Sequence, residues 1–246
     1  AGKLARRRLA LCAEPGRRGR RSACAPQEAS TVKRRLDRHL VALVALLALA
    51  LALRVWRLDA QSLWNDEGTS VALAQRDIAT ILRNAADDIH PPLYYILLHF
   101  WVRLVGSSEA AVRGLSALCG VGVVGATYLL ARRVLSDQGA LLASLFAACS
   151  PFQVYYSQEA RMYMPATLLG LLLVLACDTL FSRWHWRASL RSPIALAILL
   201  TSSALLHTHY YGATLLIAVN LAFLIWMGVE WRVRGRFPLD ALWRCL

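Results

Sequence analysis

The stretch SLWNDEGTSVALAQRDIATILRNAADDIHPPLYY, residues 62–95, interrupts a chain that otherwise consists largely of apolar runs. It contains two adjacent carboxylates, Asp66 and Glu67, and it ends in the turn His90-Pro91-Pro92. Charged residues are rare within membrane-spanning segments and are usually retained there for function. A polar stretch of this length between apolar runs therefore predicts a loop at one membrane surface that carries half of an active site.

The composition of the 246-residue chain is typical of an integral membrane protein. Hydrophobic residues make up 57% of it and charged residues 17%, and the mean hydropathy is +0.44. The formal net charge of +13 could indicate a nucleic-acid partner. However, the Lys and Arg residues concentrate in the N-terminal tail and in short connectors, which is the distribution that orients membrane proteins, so no nucleic acid is expected. The six cysteines form no CxxC pair and predict neither a disulfide framework nor a zinc site.

Composition also suggests three parts. Residues 1–38 are rich in Arg and have no apolar periodicity, which predicts a disordered, basic cytoplasmic tail. Residues 39–231 are expected to form a transmembrane core that includes an outer loop at 57–109. Residues 232–246 are expected to be a cytoplasmic connector to a further C-terminal part.

Six apolar runs approach or reach the length that spans a bilayer. The first could also be a signal peptide, but its basic region would be unusually long and further apolar runs follow. The basic connectors between the later runs all fall on the cytoplasmic side only if the short run Leu93–Val105 lies along the outer surface. We therefore expect an all-α, polytopic transmembrane helical bundle of about six spans, with juxtamembrane amphipathic helices in the first outer loop, one of them over 68–84. The six runs are 40–56, 110–131, 139–156, 162–181, 194–206 and 213–229.

This topology brings the unusual polar clusters to the outer face. Asp66 and Glu67 could divide labour, one as a general base and the other as a metal ligand or an orienting group. The same pair also fits a helix N-cap followed by a first-turn acid. The other clusters are Asp87-Asp88 with His90, the run 155–163 with its tyrosines, Glu159 and Arg161, and His207-Thr208-His209.

Arginine and histidine in these clusters could recognise a phosphate. Arg161, at the end of a span, could bind one with its forked guanidinium, or it could belong to an aromatic belt with a structural Glu159 contact. Because these two residues are two apart, they do not share a helix face and are expected to have separate partners. His207 and His209 could ligate a metal, act on a leaving phosphate, bond sugar hydroxyls, or serve only as interfacial anchors. Two further charged residues near span ends, Arg113 and Asp178, are interpreted as boundary residues.

Four of these motifs resemble the membrane glycosyltransferases of the protein O-mannosyltransferase type, within the GT-C superfamily. They lie at 62–67, 88–95, 108–113 and 155–163, in the order and at about the separations that this family uses. The resemblance covers roughly 40–228. It implies a hexosyl- or pentosyltransferase that takes a sugar from a dolichyl- or polyprenyl-phosphate carrier and passes it to an acceptor hydroxyl on a protein, lipid or glycan outside the cytoplasm.

The resemblance also implies roles for individual residues. The family's first-loop Asp-Glu pair matches Asp66 and Glu67, and its aspartate is assigned as the catalytic base. A divalent cation, if one is used, would be held by Glu67, His207 or His209. A multi-pass protein of the bacterial plasma membrane, with its site facing outward, is the expected setting. The expected site comprises Asp66 and Glu67 as catalytic residues, with Arg161, Glu159, His90, Tyr156 and His209 binding the donor and its phosphate.

Two other function classes remain open on the sequence. A transporter or flippase for a polyprenyl lipid would also gather polar groups at one face, but it should carry polar residues near the midplane. The span centres here consist almost entirely of Leu, Ala, Val and Gly. A non-catalytic membrane scaffold would leave the convergence of the polar clusters unexplained.

Overall fold

The computed structural model describes residues 25–87, 90–183 and 193–234. Within these residues the chain is helical and has no β-strand, which confirms the expected all-α fold. The ten described helices are α1 (Ala25–Val55), α2 (Asn65–Ala74), α3 (Ile78–Asp87), α4 (Leu93–Val105), α5 (Glu109–Val134), α6 (Asp137–Cys149), α7 (Pro151–Ser157), α8 (Tyr163–Arg183), α9 (Pro193–Thr208) and α10 (Gly212–Arg234).

The chain divides into two compact units, residues 1–43 and residues 44–246. The first unit contains the described residues 25–43, with which α1 begins. All residues of the expected site belong to the second unit.

The ends of the chain are described only in part. Of the expected tail, 1–38, the residues from 25 onward are helical, and residues 1–24 lie outside the described part of the chain. Of the expected connector, 232–246, residues 235–246 lie outside it as well.

Four of the described helices are long and apolar enough to cross a bilayer, and this makes the chain a multi-pass membrane protein. Two more of the predicted spans are apolar but shorter, since α9 has 16 residues and α6 has 13. Four of the six expected spans are thus helices long enough to cross a bilayer, and the other two correspond to shorter apolar helices. The four long segments are Arg38–Val55, Glu109–Val134, Tyr163–Leu180 and Gly212–Val233.

The prediction of one continuous helix over 139–156 is wrong. The chain leaves the helix at Ser150, which is extended (φ −62°, ψ 118°), and begins α7 at Pro151. Proline has no N–H for the helical ladder, and its ring disfavours the α conformation at the residue before it. The Ser150 hydroxyl then caps α7 by accepting from the backbone N–H of Gln153. The apolar content of residues 139–156 gave no indication of this break.

The prediction of a single amphipathic helix over 68–84 is also wrong, because two helices meet there. The Asp77 carboxylate accepts from the backbone N–H of Thr80 at 2.9 Å and from its hydroxyl at 2.7 Å, and α3 starts after it. Such a side-chain cap satisfies a donor at the start of a new helix. Helix α4, in contrast, has the bounds of the apolar run Leu93–Val105, and it ends at Gly106 with a φ of 94° that favours glycine.

The three short helices of the first loop pack against the start of α5 around one buried cluster. The turn between α7 and α8 contributes Ala160 and Met162 to the same cluster. This turn, residues 158–162, therefore lies beside α2 although about ninety residues of chain separate them. The other members of the cluster are Val71 and Ala74 of α2, Ile81 of α3, Tyr94, Tyr95 and Leu98 of α4, and Val112 of α5.

Candidate active site

The acidic pair lies in the first turn of α2. The helix begins at Asn65, so Asp66 lies inside it. Asp66 is therefore not the N-cap, which was one of the two roles that the sequence left open. Glu67, three residues after the cap position, reaches back toward the backbone N–H of Trp64 at 3.4 Å. Because consecutive helical residues point about 100° apart, the two carboxylates face different surroundings.

Glu67 is fully buried, and donors occupy both of its oxygens. The guanidinium of Arg113 approaches it in a forked geometry, with Nε 2.9 Å from Oε1 and Nη2 2.7 Å from Oε2. The backbone N–H of Ala160 donates to Oε1 at 2.8 Å. Burial alone would raise the pKa of Glu67, but the hydrogen bonds from Arg113 and Ala160 outweigh it and hold the pKa below its usual range. These contacts make Glu67 a group that joins α2, α5 and the 158–162 turn.

Arg113 is the residue whose importance the sequence interpretation missed. Besides Glu67, it donates to the carbonyl oxygens of Leu58 and Gln61 at 2.8 Å each and of Ser62 at 3.3 Å. It therefore fixes the segment that leads from α1 into α2. A charge inside an otherwise apolar helix was the signal that could have identified it.

Asp66 differs from its neighbour because its side chain is 41% exposed. Its Oδ2 lies 3.5 Å from Nη2 of Arg161, and its carbonyl oxygen accepts from Nη1 at 3.3 Å. Asp66 and Arg161, which the sequence placed on one face, thus come into contact. An exposed carboxylate beside a fixed cation can accept a proton from a hydroxyl group.

Arg161 is held through its guanidinium and through its backbone. Ser70 accepts from Nη1 at 3.3 Å, and the ring of Tyr163 lies 5.9 Å from the guanidinium carbon. The Ser116 hydroxyl bonds to the Arg161 carbonyl oxygen at 3.2 Å. The Nε atom is buried and has no hydrogen-bond partner among the described residues. Arg161 thus keeps one donor for a further acceptor.

Glu159 has a partner of its own, as its spacing from Arg161 predicts. It is 7% exposed and forms a hydrogen bond with the hydroxyl of Tyr155. Burial raises the pKa of Glu159 above its usual range, and the nearby Glu67 adds to this, against the opposing effects of Tyr155, Arg161 and Arg113. The raised pKa favours the neutral form of the Glu159 carboxyl group over the carboxylate.

An apolar cavity of about 570 Å³ opens beside these residues, between α7, α8 and the start of α10. Its volume is in the range of small-molecule sites. Tyr156 and His209, both predicted to bind the donor, line it, whereas Arg161 does not. Its other lining residues include Phe152, Tyr163, Thr167, Leu171 and Leu215.

His209 brings a polar group to this cavity. Its Nδ1 accepts from the backbone N–H of Tyr211 at 3.1 Å, so the neutral ring carries its proton on Nε2 and can donate it. Burial lowers the pKa of His209, and electrostatic interactions with His90 and Arg161 lower it further. The ring of Tyr163 lies between His209 and Arg161, with its centroid 6.1 Å from the His209 ring and 5.9 Å from the Arg161 guanidinium carbon.

The predicted metal ligands do not come together. Among the described residues no group of three or more His, Cys, Asp or Glu side chains is arranged to hold a metal ion. Glu67 is taken up by Arg113, and the exposed His207 uses Nδ1 for the carbonyl oxygen of Ser203 at 2.8 Å. Asp88, from the second acidic pair of the first loop, lies outside the described residues.

Comparison with known families matches residues 89–241, more than half of the chain, to the model of the dolichyl-phosphate-mannose-protein mannosyltransferase family. The match includes the 158–162 turn and the cavity, and it begins after Asp66 and Glu67. Curated proteins and solved structures give no match.

Proposed function

Because the chain belongs to the dolichyl-phosphate-mannose-protein mannosyltransferase family, we propose that it transfers a sugar from a polyprenyl-phosphate carrier to an acceptor hydroxyl at the extracytoplasmic face of the membrane. Mannose is the sugar that the family description favours. The observation that carries the proposal is the apolar cavity with His209 and Tyr163 in its wall, where the Tyr163 ring lies 5.9 Å from the Arg161 guanidinium carbon.

This combination suits an amphipathic donor. The isoprene units next to the phosphate would lie along the apolar wall formed by Phe152, Leu171 and Leu215, where their burial is favourable. The phosphate would then lie near His209, whose Nε2–H can donate to a phosphate oxygen. With a volume of about 570 Å³ the cavity holds only the first part of a long prenyl chain, and the remainder would extend into the bilayer.

Asp66 is the group we assign as general base. An acceptor hydroxyl oxygen attacks the anomeric carbon of the sugar, and its proton passes to the Asp66 carboxylate. The bond between the anomeric carbon and the phosphate oxygen breaks, and the electron pair stays on the polyprenyl phosphate. Attack opposite the leaving group inverts the configuration at the anomeric carbon.

Arg161 would act on the leaving phosphate and on Asp66 in turn. Before the donor binds, its guanidinium is paired with Asp66 at 3.5 Å, and its Nε has no partner among the described residues. A phosphate that accepts from this guanidinium would weaken the contact to Asp66 and leave the carboxylate available as a base. Stabilisation of the leaving group by fixed cations is usually a large part of such catalysis.

These steps are proposed without a divalent cation. The three residues expected to hold one, Glu67, His207 and His209, are not grouped in the part of the chain that the structure describes. Glu67 instead is proposed to support Asp66, because its bond to the Ala160 N–H helps to place the turn that carries Arg161.

The proposal is tested by reconstituting the protein into liposomes with radiolabelled dolichyl-phosphate mannose and a peptide rich in Ser and Thr. We expect labelled mannose on a peptide hydroxyl, together with release of dolichyl phosphate. Lipid and glycan acceptors run in parallel, since each also offers a hydroxyl. Failure to consume the donor with all three acceptors would overturn the proposal. Movement of intact donor between the leaflets without consumption would replace it with transport.

A further inference from the structure

Arg54 is a fully buried arginine in the last turn of α1, within the apolar segment Arg38–Val55. A guanidinium cannot be removed from water there without compensation, and charges in such segments are costly. Each hydrogen bond that the structure gives to it ends on a neutral oxygen. These acceptors are Ser157 Oγ at 3.1 Å and the carbonyl oxygens of Ala50, Ala148 and Ala147 at 3.1, 3.2 and 3.4 Å.

Two of these carbonyl groups belong to the last turn of α6. Helix α6 ends at Cys149, so the carbonyl groups of Ala147 and Ala148 have no partners further along the helix. The aligned dipoles give this end of the helix a partial negative charge. Arg54 thus donates hydrogen bonds to carbonyl groups that the helix break before Pro151 leaves without helical partners. These carbonyl groups in turn are acceptors for the buried guanidinium.

The segment after the break returns the same kind of contact to α1. The side-chain amide of Gln158 donates to the carbonyl oxygens of Trp56, Arg54 and Leu53 at 2.9, 3.2 and 3.4 Å. Leu53 and Arg54 lie in the last turn of α1, and Trp56 directly follows the helix. Arg54 and Gln158 therefore cap the ends of each other's segments.

Gly120 of α5 makes room for this contact. A Cβ atom built at Gly120 would lie 2.2 Å from Ser157 Oγ and 2.7 Å from Arg54 Nε, which is closer than such atoms approach. Even an alanine would therefore have to displace the Arg54–Ser157 hydrogen bond. At Gly125, on the same helix, the nearest atom to an added Cβ is Leu47 Cδ2 at an ordinary 3.8 Å.

We propose that Arg54 is a positioning residue that fixes where the 158–162 turn begins, and through it the Ala160 N–H that holds Glu67 and the guanidinium of Arg161. Ser157, which bonds to Arg54, directly precedes this turn, and Gln158, which bonds to the end of the Arg54 helix, is its first residue. A shift at Ser157 would be passed to Arg161 four residues later, because Ala160 and Met162 are buried and give the turn little freedom. The part of the inference that concerns phosphate recognition rests on the proposed function.

The test uses Arg54→Met and Gly120→Ala, with Arg57→Met and Gly125→Ala as controls. Arg57 is exposed and lies three residues after Arg54. Binding of dolichyl-phosphate mannose and of uncharged dolichol to the protein in nanodiscs is measured by native mass spectrometry. We expect both test variants to lose about tenfold in affinity for the phosphate-bearing lipid, a difference of about 1.4 kcal/mol, and to bind dolichol as the wild type does. Both controls should match the wild type for both lipids.

Hydrogen–deuterium exchange of the backbone amides of residues 158–162 provides the second readout, which needs no ligand. We expect faster exchange at Ala160 in Arg54→Met and Gly120→Ala and wild-type exchange in the two controls. If Arg54→Met does not fold, both measurements are made on Gly120→Ala, which keeps the positive charge of Arg54.

Equal losses for both lipids, or no loss with unchanged exchange, would overturn the positioning role. A wild-type protein that binds dolichol but not dolichyl-phosphate mannose would instead count against the proposed function. The exchange measurement would then decide on Arg54 by itself.

Discussion

The two ends of α5 carry the same chemistry in opposite surroundings. At its start Arg113 pairs with Glu67, and the two side chains are 7% and 1% exposed. Near its end Arg132 pairs with Asp137 at 2.9 Å, and these side chains are 46% and 49% exposed. The first pair also forms four hydrogen bonds with the backbone of neighbouring segments. The second pair joins two adjacent helices at the surface.

The difference shows why one pair organises the site and the other does not. Removing one partner of a buried pair leaves the other charge in a poorly solvated place, which is strongly destabilising. An exposed pair is screened by water, and its loss changes little. We therefore regard the Glu67–Arg113 pair as the anchor that joins the first loop to α5 and to the 158–162 turn.

The largest expected effect comes from Glu67→Gln. It leaves the Arg113 guanidinium buried without a counter-charge, so we expect a loss of about 3–5 kcal/mol of stability. Thermal unfolding in detergent, followed by the fluorescence of a thiol-reactive dye, measures it. Asp137→Asn is the matched control and should change stability by no more than about 1 kcal/mol. Equal losses in both variants would remove the distinction between the two ends.

Arg113→Lys should have an intermediate effect. Lysine keeps the positive charge but cannot form the two parallel bonds to Glu67 while also reaching the carbonyl groups of Leu58 and Gln61. We expect a loss of about 1.5–3 kcal/mol, the contribution of a charged hydrogen bond. The same unfolding assay applies, with Arg132→Lys as control. A stability equal to wild type would mean that the charge matters and the fork does not.

Acidification should reduce the contribution of the Glu67–Arg113 pair to stability. The Arg113 and Ala160 bonds hold the pKa of Glu67 below its usual range despite its burial. A carboxyl group with a lowered folded pKa contributes stability that is fully present above its unfolded pKa and is lost as the pH falls through the folded value. We expect the unfolding temperature of the wild type to drop below about pH 4.3, the ordinary value for Glu. The drop should be shallower in Glu67→Gln, and identical slopes would contradict the assignment.

Arg132→Ala should have the smallest effect. It removes an exposed pair and the contact of the guanidinium with the Tyr128 ring at 5.4 Å. We expect a change of about 0–1 kcal/mol, reduced further by added salt. Unfolding temperatures at low and at high salt measure it. A loss as large as that of Glu67→Gln would show that exposure does not control the value of these pairs.

Apolar periodicity was sufficient to predict much of this fold. The run Leu93–Val105 is a helix with those bounds, because it is bordered by Pro92 and Gly106 and has no internal breaker. The helix break at Ser150 was missed because apolar content was weighed above the proline that follows. The break at Asp77 was missed because a short side chain can cap a helix within an amphipathic pattern.

The sequence predicted which polar segments meet better than it predicted the contacts between their side chains. Grouping the polar clusters on one face correctly brought Asp66 near Arg161, since topology alone limits which loops can meet. The partner of Glu67 could not be read in the same way, because it depends on how α5 packs against a loop 46 residues away in sequence. Charge pairs of this kind are set by tertiary packing, and the sequence shows only that Arg113 is an unusual residue in an apolar helix.

Sugar transfer by Asp66→Asn, assayed with saturating dolichyl-phosphate mannose, tests the role of Asp66 as general base. Asp59→Asn serves as control, since Asp59 is exposed and lies in the segment before α2. We expect that Asp66→Asn folds, retains the bound donor and loses at least about 100-fold in turnover, as is typical when a general base is removed. The control should transfer at the wild-type rate. Turnover by Asp66→Asn at the wild-type rate would show that Asp66 is not the general base.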